Sequence, residues 1–291
     1  MAGHRLRYGD AMLAAPWQAG EGGRAVEHPA PVPISACVIA KNEADRIGPC
    51  LASLAFCDEI VVLDSGSTDG TQDICRAAGA RVVETDWPGW VKQKNRAVAE
   101  AAHDWVLSLD ADERVDAELR ASIEALRTGA LAAPAGPWAY AVKRKVRYLG
   151  RWIRHGGWYP EWRARLFHRE HARWGGVDPH DRIEAEGPVE RIHGGDLEHH
   201  TYRSMEDHLR QMILFSGEGA AQMHARGRRA GWVDLSLRPW WRFVHVYIVR
   251  LGFLDGRAGY MVARLGAYFT FLKYARLWDL ARQDAAKTHE D

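Results

Sequence analysis

Cysteine is scarce in this 291-residue sequence: four residues, Cys37, Cys50, Cys57 and Cys75, with no C-x-x-C pair. That excludes a disulfide scaffold and argues against a cysteine-based zinc site; a reducing compartment suits such a chain. An excess of charge of one sign is also missing. Lys+Arg 39 against Asp+Glu 38 gives 39 − 38 = +1, which excludes a protein that coats nucleic-acid phosphates. No run reaches the roughly 18 uncharged apolar residues of a spanning helix. The apolar patch at 11–17 follows Asp10 and is too thin for a secretory signal, so the chain reads as cytoplasmic. Phosphate cradles of the G-x-x-x-x-G-K-[ST] and G-x-G-x-x-G kinds are lacking, as is a G-x-S-x-G nucleophile elbow. What the chain has in plenty is tryptophan, 13 residues, an amphipathic ring that recurs at sugar and membrane interfaces.

Residues 1–31 are rich in Gly, Ala and Pro and read as a flexible arm. Order is expected to begin with an apolar run at 32–40, a buried strand. Further strands are predicted at 59–63, 81–84 and 105–109, with helices at 43–56, 72–78, 92–102 and 116–126. Strands of continuous apolar character alternating with helices imply an α/β fold, a mostly parallel sheet with helices on both faces. From about residue 139 strand-like stretches follow without crossover helices. From Ser204 the chain turns helical, opening on the capping pattern Ser204-Met205-Glu206-Asp207. The expected organisation is therefore an α/β domain at 32–203, whose first half (32–130) alternates strand and helix and whose second half (131–203) does not, and a helical C-terminal extension at 204–291.

Ligands of a parallel sheet gather outside the carboxyl ends of its strands. Here those ends read Lys41-Asn42-Glu43, Asp64-Ser65-Gly66-Ser67-Thr68-Asp69-Gly70-Thr71 and Asp110-Ala111-Asp112-Glu113. Asp, Asn and Gly make good turns and caps wherever they fall, but three acidic loops at one edge repel unless a cation or a donor-rich ligand balances them. Asp110 and Asp112, one residue apart after an apolar strand, suit a Mg²⁺ or Mn²⁺ ion that takes one or two carboxylates and fills its shell with phosphate oxygens and water.

These three loops, at this spacing, resemble the inverting GT-A glycosyltransferases of family 2. The stretch Gly89-Trp90-Val91-Lys92-Gln93-Lys94-Asn95-Arg96, with Arg165-Leu166-Phe167 and Gly252-Phe253-Leu254-Asp255-Gly256, is similar to the branch that adds glucose to the lipopolysaccharide inner core. The resemblance implies a GT-A fold, a UDP-sugar donor and a lipid-linked saccharide acceptor. It implies that Glu43 and Asp64 hold the uridine, with Asn42, Asp69, Lys94, Asp110 and Arg165 completing the nucleotide-sugar site, and that Asp112 ligates the metal. It also implies a catalytic carboxylate within Val177-Asp178-Pro179-His180-Asp181-Arg182. Asp181 stands where the family pattern has Glu, and Glu161 and Asp178 compete for the role. An inverting displacement needs one such base to take the acceptor's proton and charge stabilisation for the leaving UDP.

Other residues divide between structure and function. His193, His199 and His200 match no ligand spacing and read as structural. Trp152, Trp158, Trp162 and Trp174 could stack on acceptor sugars or fill a core poor in Leu and Ile, and Arg163 could bind phosphate or pair at the surface. Between 236 and 278 seven basic residues face one acid, 7 − 1 = +6. Helical segments are expected at about 239–251 and 255–280. Arg250, Arg257 and Arg264 are seven apart and within a continuous helix would share a face, and basic, aromatic helices suit an anionic membrane surface and a peripheral location at the inner face of the cytoplasmic membrane. The alternatives are the same fold acting on another polymer, lipid carrier or peptide, and a catalytically silent nucleotide-sugar-binding scaffold at the membrane.

Overall fold

Alternation of side chains builds the sheet and both of its coats. In β1 (Ile34–Ala40) the residues Ile34, Ala36, Val38 and Ala40 pack against Ile47 and Leu51 of α1 (Ile47–Ser53) and Leu119 and Ile123 of α4 (Ala117–Arg127). Cys37 and Ile39 point the other way, onto Ala97 and Val98 of α3 (Trp90–Ala99). A period of two thus fills two cores from one strand. The computed structural model describes residues 30–133, 136–178 and 180–288. The expected N-terminal arm, apart from residues 30 and 31, lies outside the described residues, as does Pro179.

Strands β2 (Glu59–Asp64), β3 (Arg81–Glu84) and β4 (Trp105–Asp110) lie parallel to β1 in the order β3-β2-β1-β4. The register pairs Ala40 with Asp64 and Ile39 with Asp110, so the three acidic loops leave the sheet at one edge. Helix α2 (Thr71–Ala77) follows the second of them. The second half departs from parallel order, as a chain without crossover helices must. Strand β8 (Glu161–His168) pairs antiparallel with β4 and with β6 (Ala139–Tyr148), and β12 (Leu197–His199) joins β6 to β5 (Glu113–Val115). Short strands β7 (Arg151–Ile153) and β11 (Val189–Arg191) flank β6. A hairpin of β9 (Ala172–Val177) and β10 (His180–Ala185) stands apart from the main sheet. The whole is the GT-A arrangement, a mixed sheet with helical coats and a helical C-terminal extension.

The extension is packed onto the second half through its own small cores. Ser204 caps α5 (Met205–Ala225), accepting from the Asp207 N–H at 3.1 Å as its sequence pattern predicts. Ala220 of α5 meets Tyr274 and Leu277 of α7 (Gly256–Thr288). Val246, after α6 (Trp232–Val244), packs with Val262 and Ala263 on Tyr148 and Ile153 of the sheet. The two helical segments expected at about 239–251 and 255–280 are separated in the structure as well, so Arg250, Arg257 and Arg264 do not share one continuous helix. Leu251 adopts a left-handed φ of 56° and a short 3-10 turn, Gly252–Asp255, precedes α7. Two glycines permit it: a Cβ on Gly252 would lie 2.6 Å from the Val246 carbonyl oxygen, and one on Gly259 1.9 Å from that of Gly252. Asp255 then accepts from the N–H groups of Arg154 and His155 at 3.0 and 2.8 Å. The Gly252–Gly256 motif is therefore a docking turn, and Arg250 lies on a different segment from Arg257 and Arg264.

Candidate active site

The first two loops are laced to each other. Asn42, at φ 55°, donates its N–H to Ser67 Oγ and accepts from the Thr68 N–H, at 2.8 and 2.9 Å. Asp69 accepts from the Ala44 N–H at 3.1 Å and from the Thr71 hydroxyl, and Thr71 Oγ1 in turn takes the Glu43 N–H at 2.9 Å. Asp64 is fully buried and receives Ser67, Gly66 and Gln72. The hydrogen bonds of Asn42, Asp64 and Asp69 thus shape the two loops, and none of the three lines the cleft, whereas Lys41 and Glu43 beside them do.

That cleft, 890 Å³, opens at the carboxyl edge and is walled by the D-x-D loop, α3, the β10 hairpin strand and the start of α5. Glu43 sits at one side, its carboxylate 2.7 Å from Arg203 Nη2. Burial pushes its carboxyl up to about 7, with Asp112 and Asp45 adding to this against the pull of Arg203 and Arg46. Arg203 also grips both oxygens of Asp45 at 2.9 Å, which ties the segment before α5 to the first loop.

A ladder of paired charges crosses the cleft floor. Lys94, buried in α3, donates from Nζ to Asp181 Oδ2 at 2.7 Å and lies 2.9 Å from Asp110 Oδ1 and 4.3 Å above the Trp174 ring. Arg165 reaches Asp110 Oδ2 at 3.3 Å and clasps both oxygens of Glu113 at 2.9 and 2.7 Å. Arg144 links Glu113 (3.4 Å) to Glu161 (2.6 Å). Burial alone would raise Glu113, but Arg165 and Arg144 hold it well below the usual carboxylate range. The repulsion expected among the clustered acids is thus offset largely by the protein's own cations. Glu113 is fully buried, and removing its main partner strands a charge. Arg165→Met is expected to cost about 3–5 kcal/mol of stability, read as a lowered urea midpoint at unchanged m-value; a midpoint within error of wild type would mean that the Glu113–Arg165 pair is not structural.

Three carboxylates compete for the base, and the structure distributes them differently. Asp181, on β10, lines the cleft; one oxygen holds Lys94, and the other makes no hydrogen bond among the described residues. Asp178 accepts from the Val91 N–H at 3.0 Å, capping α3 from across the chain. Glu161 is held by Arg144 and Arg163; burial raises its carboxyl, but the two guanidiniums leave it below its ordinary value. Among the described residues the Asp112 carboxylate, unlike that of Asp110, has only long contacts, 3.4 Å to Arg46 Nη1 and 3.3 Å to His199 Nε2. Burial raises it, and His199 and Arg46 bring it below its ordinary value. The Arg46 side chain is buried, and its Nη2 has no hydrogen-bond partner among the described residues.

Several cleft residues were not foreseen from the sequence. His199 reaches Asp112 because β12 pairs with β5 in the register His199 to Glu113, a long-range pairing that leaves no local spacing to read. Arg46, Arg144 and Arg203 carry no motif. Trp87 and Trp90, edge to face at 4.7 Å and each 40% exposed, line the cleft mouth. The four tryptophans weighed for sugar stacking do not line it. Trp174 is buried beneath Lys94, Trp158 packs in the core under the C-terminal helices, Trp152 meets His200 and Trp162 meets His193. The α3 motif is explained by its reach in two directions: Gln93 donates to Ser65 Oγ at 2.9 Å, and Asn95 exchanges hydrogen bonds with the Trp174 backbone.

Residues 35–187 match the family model of glycosyl transferase family 2. A lipopolysaccharide core biosynthesis glycosyltransferase, LpsC, of Rhizobium meliloti is 31% identical over 85% of this chain and 92% of its own. An uncharacterized glycosyltransferase of Rickettsia prowazekii is 29% identical over 85% of this chain and 87% of its own. A crystal structure of glucosyl-3-phosphoglycerate synthase from Mycobacterium tuberculosis, in complex with Mn²⁺ and UDP-glucose, is 29% identical over 40% of this chain and 44% of its own, with a TM-score of 0.33. With more than half of its length matched by the family model, the chain belongs to glycosyl transferase family 2.

Proposed function

We propose that this family 2 glycosyltransferase moves a hexose, glucose first, from a UDP-sugar to a hydroxyl of a lipopolysaccharide inner-core or similar glycolipid acceptor, with inversion at the anomeric carbon. The observation that carries the reading is the Lys94 bridge, 2.7 Å to Asp181 and 2.9 Å to Asp110, which joins the base to the D-x-D loop in one cleft while Asp178 and Glu161 are engaged elsewhere. Asp181 takes the proton of the acceptor hydroxyl as that oxygen attacks from the face opposite the nucleotide. Lys94 holds Asp181 in place beside Asp110. Arg46, whose buried Nη2 has no hydrogen-bond partner among the described residues, is available to a donor phosphate oxygen. Glu43 is the group at hand for the uridine.

The donor set of the cleft suits a divalent ion. Asp112 has capacity to spare, and the imidazole of His199 faces it at 3.3 Å; these two would hold Mg²⁺ or Mn²⁺, while Asp110 is turned to Lys94 and Arg165. Such an ion supplies positive charge against the diphosphate as it departs. The acceptor class rests on the relative named for lipopolysaccharide core biosynthesis. The test is incubation of the purified chain with UDP-glucose and delipidated or whole inner-core glycolipid, with the new linkage read by NMR. A β-linked product supports the reading; retention of configuration, or no transfer and no UDP release with any UDP-hexose, rejects it.

An apolar face supports contact with a membrane. No helix among the described residues is long and apolar enough to cross one. Helix α6 has no buried residue, and Trp232, Leu237, Trp240 and Trp241 are each more than half exposed; Ile248, Val249 and Leu254 continue the exposed surface. Arg242, Arg250, Arg257 and Arg264 are all exposed, and Arg264 also lies over the Phe243 ring at 5.7 Å. Tryptophan beside arginine suits the headgroup region of an anionic leaflet. Replacing Trp240 and Trp241 together with Ser should lower partition onto phosphatidylglycerol vesicles by two to three orders of magnitude, from roughly 2 kcal/mol per ring at ~25 cal/mol per Å². Flotation equal to wild type would leave this face without a membrane role.

A further inference from the structure

At the far end of the sheet from the cleft, the turn joining β8 to β9 carries His168, Arg169, Glu170 and His171. The register of β8 with β4 sets His168 beside Trp105, the first residue of β4, whereas the cleft lies at Asp110, its last. The His171 N–H donates to the His168 carbonyl at 3.0 Å, closing a turn that brings the two imidazoles together, their centroids 5.1 Å apart. One ligand atom each from His168, Glu170 and His171 lies within 4.8 Å of the other two.

We propose that His168, Glu170 and His171 form a second metal site, built for a divalent transition cation, Zn²⁺ first, and separate from the nucleotide-sugar cleft. Two imidazoles and one carboxylate are a donor set of Zn²⁺ and its borderline neighbours; Mg²⁺ prefers oxygen alone. Three protein ligands leave a fourth position for water.

Three further observations support the assignment. His171 Nδ1 lies 2.8 Å from Glu186 Oε2, the outer carboxylate that takes the Nδ1 proton of a ligating histidine and leaves Nε2 to the metal. His168 Nδ1 is buried without a hydrogen-bond partner among the described residues, a cost that a ligand would remove. Both rings are held before any ion arrives: Trp138 stacks on His171 at 3.9 Å and meets His168 edge-on at 5.4 Å, and Trp105 meets His168 from another side at 5.4 Å. The intervening cation does not oppose a metal, because Arg169 is turned to Asp104 and to the Ala101 carbonyl. A bound ion would pin the start of the β9–β10 hairpin, which carries Asp181, to the end of β8, which carries Arg165. It would act as a clip on the cleft from behind.

The test is calorimetric titration of the EDTA-stripped full chain with ZnCl₂ in millimolar Mg²⁺, which occupies oxygen-rich sites. Wild type should take up one equivalent that His171→Gln loses. Glu170 is exposed, so Glu170→Gln should keep the fold and weaken the same equivalent at least tenfold. Glu186→Gln should weaken it by about 10–100-fold. Because Trp138 lies on the His171 ring, Co²⁺ should quench a component of tryptophan emission that is absent in Trp138→Phe and in His171→Gln. Zinc uptake equal in wild type, Glu170→Gln and His171→Gln, or no uptake by wild type, overturns the site. The Asp112→Ala variant, which alters the cleft ion, should leave this equivalent and the Co²⁺ quench in place; their loss there would mean that the signal came from the cleft.

Discussion

Asp181→Asn is expected to lower turnover by about 10²–10⁴-fold while changing the affinity for UDP-sugar little. The amide has the shape of the carboxylate, and its oxygen can still accept from Lys94, 2.7 Å away in the wild type. What it loses is the ability to take a proton from the acceptor hydroxyl. The effect should therefore fall on kcat, with donor binding measured by calorimetry nearly unchanged. Two controls divide the alternatives. Asp178→Asn removes the charge of a group that caps α3, so its effect should appear as loss of stability. Glu161→Gln loosens Arg144 and Arg163 and should act on cleft electrostatics without the full catalytic loss. If Asp181→Asn turns over normally and one of the other two is dead, the base is misassigned.

Much of the first half of the molecule was legible because its elements are specified locally. Strand β3 falls on the predicted 81–84, and β1, β2 and β4 begin or end within two residues of expectation. The continuous apolar runs of β1, β2 and β4, bounded by charged and turn residues, mark strands buried on both faces. The same reading brought Lys41, Glu43, Asp110 and Asp112 to one edge, where they line one cleft. Loop chemistry was less legible. Asn42, Asp64 and Asp69 look like ligands in the sequence, yet their hydrogen bonds shape the two loops; a residue that holds a turn and one that holds a nucleotide share the same alphabet.

The second half hid more, and for one reason: its site is made by pairing distant segments. His199 owes its place to the β12–β5 ladder, Glu113 to clasps from Arg165 and Arg144, and Arg203 to the docking of α5 on the first loop. Each is a contact between residues far apart in the chain, with no periodicity to announce it. The interruption between the last two helical segments was legible, and it falls at Leu251, φ 56°, where the absence of a Cβ on Gly252 and Gly259 permits the close approach. The seven-residue spacing of the arginines therefore does not run along one helix.

Metal dependence should follow from Asp112 and His199 in a way that separates their contributions. Asp112→Ala removes the only carboxylate of the D-x-D pair without a cation closer than 3.3 Å. Lewis-acid stabilisation of a departing phosphate is worth several kcal/mol, so transfer should fall by about 10³-fold or more, and EDTA should bring wild type to the same floor. His199→Gln should be milder and selective. An imidazole favours Mn²⁺ over Mg²⁺, because affinity for a nitrogen ligand rises with the softness of the ion. Its loss should therefore raise the Mn²⁺ concentration for half-maximal activity at least tenfold while shifting the Mg²⁺ requirement less. His199 also meets Thr201 Oγ1 at 2.7 Å from Nε2, so Thr201→Val serves as a control for ring position without removing a ligand. Turnover titrated with each ion across these variants decides the matter. If Asp112→Ala keeps EDTA-sensitive transfer, the ion sits elsewhere in the cleft. If His199→Gln shifts both ions equally, the histidine positions Asp112 and does not touch the metal.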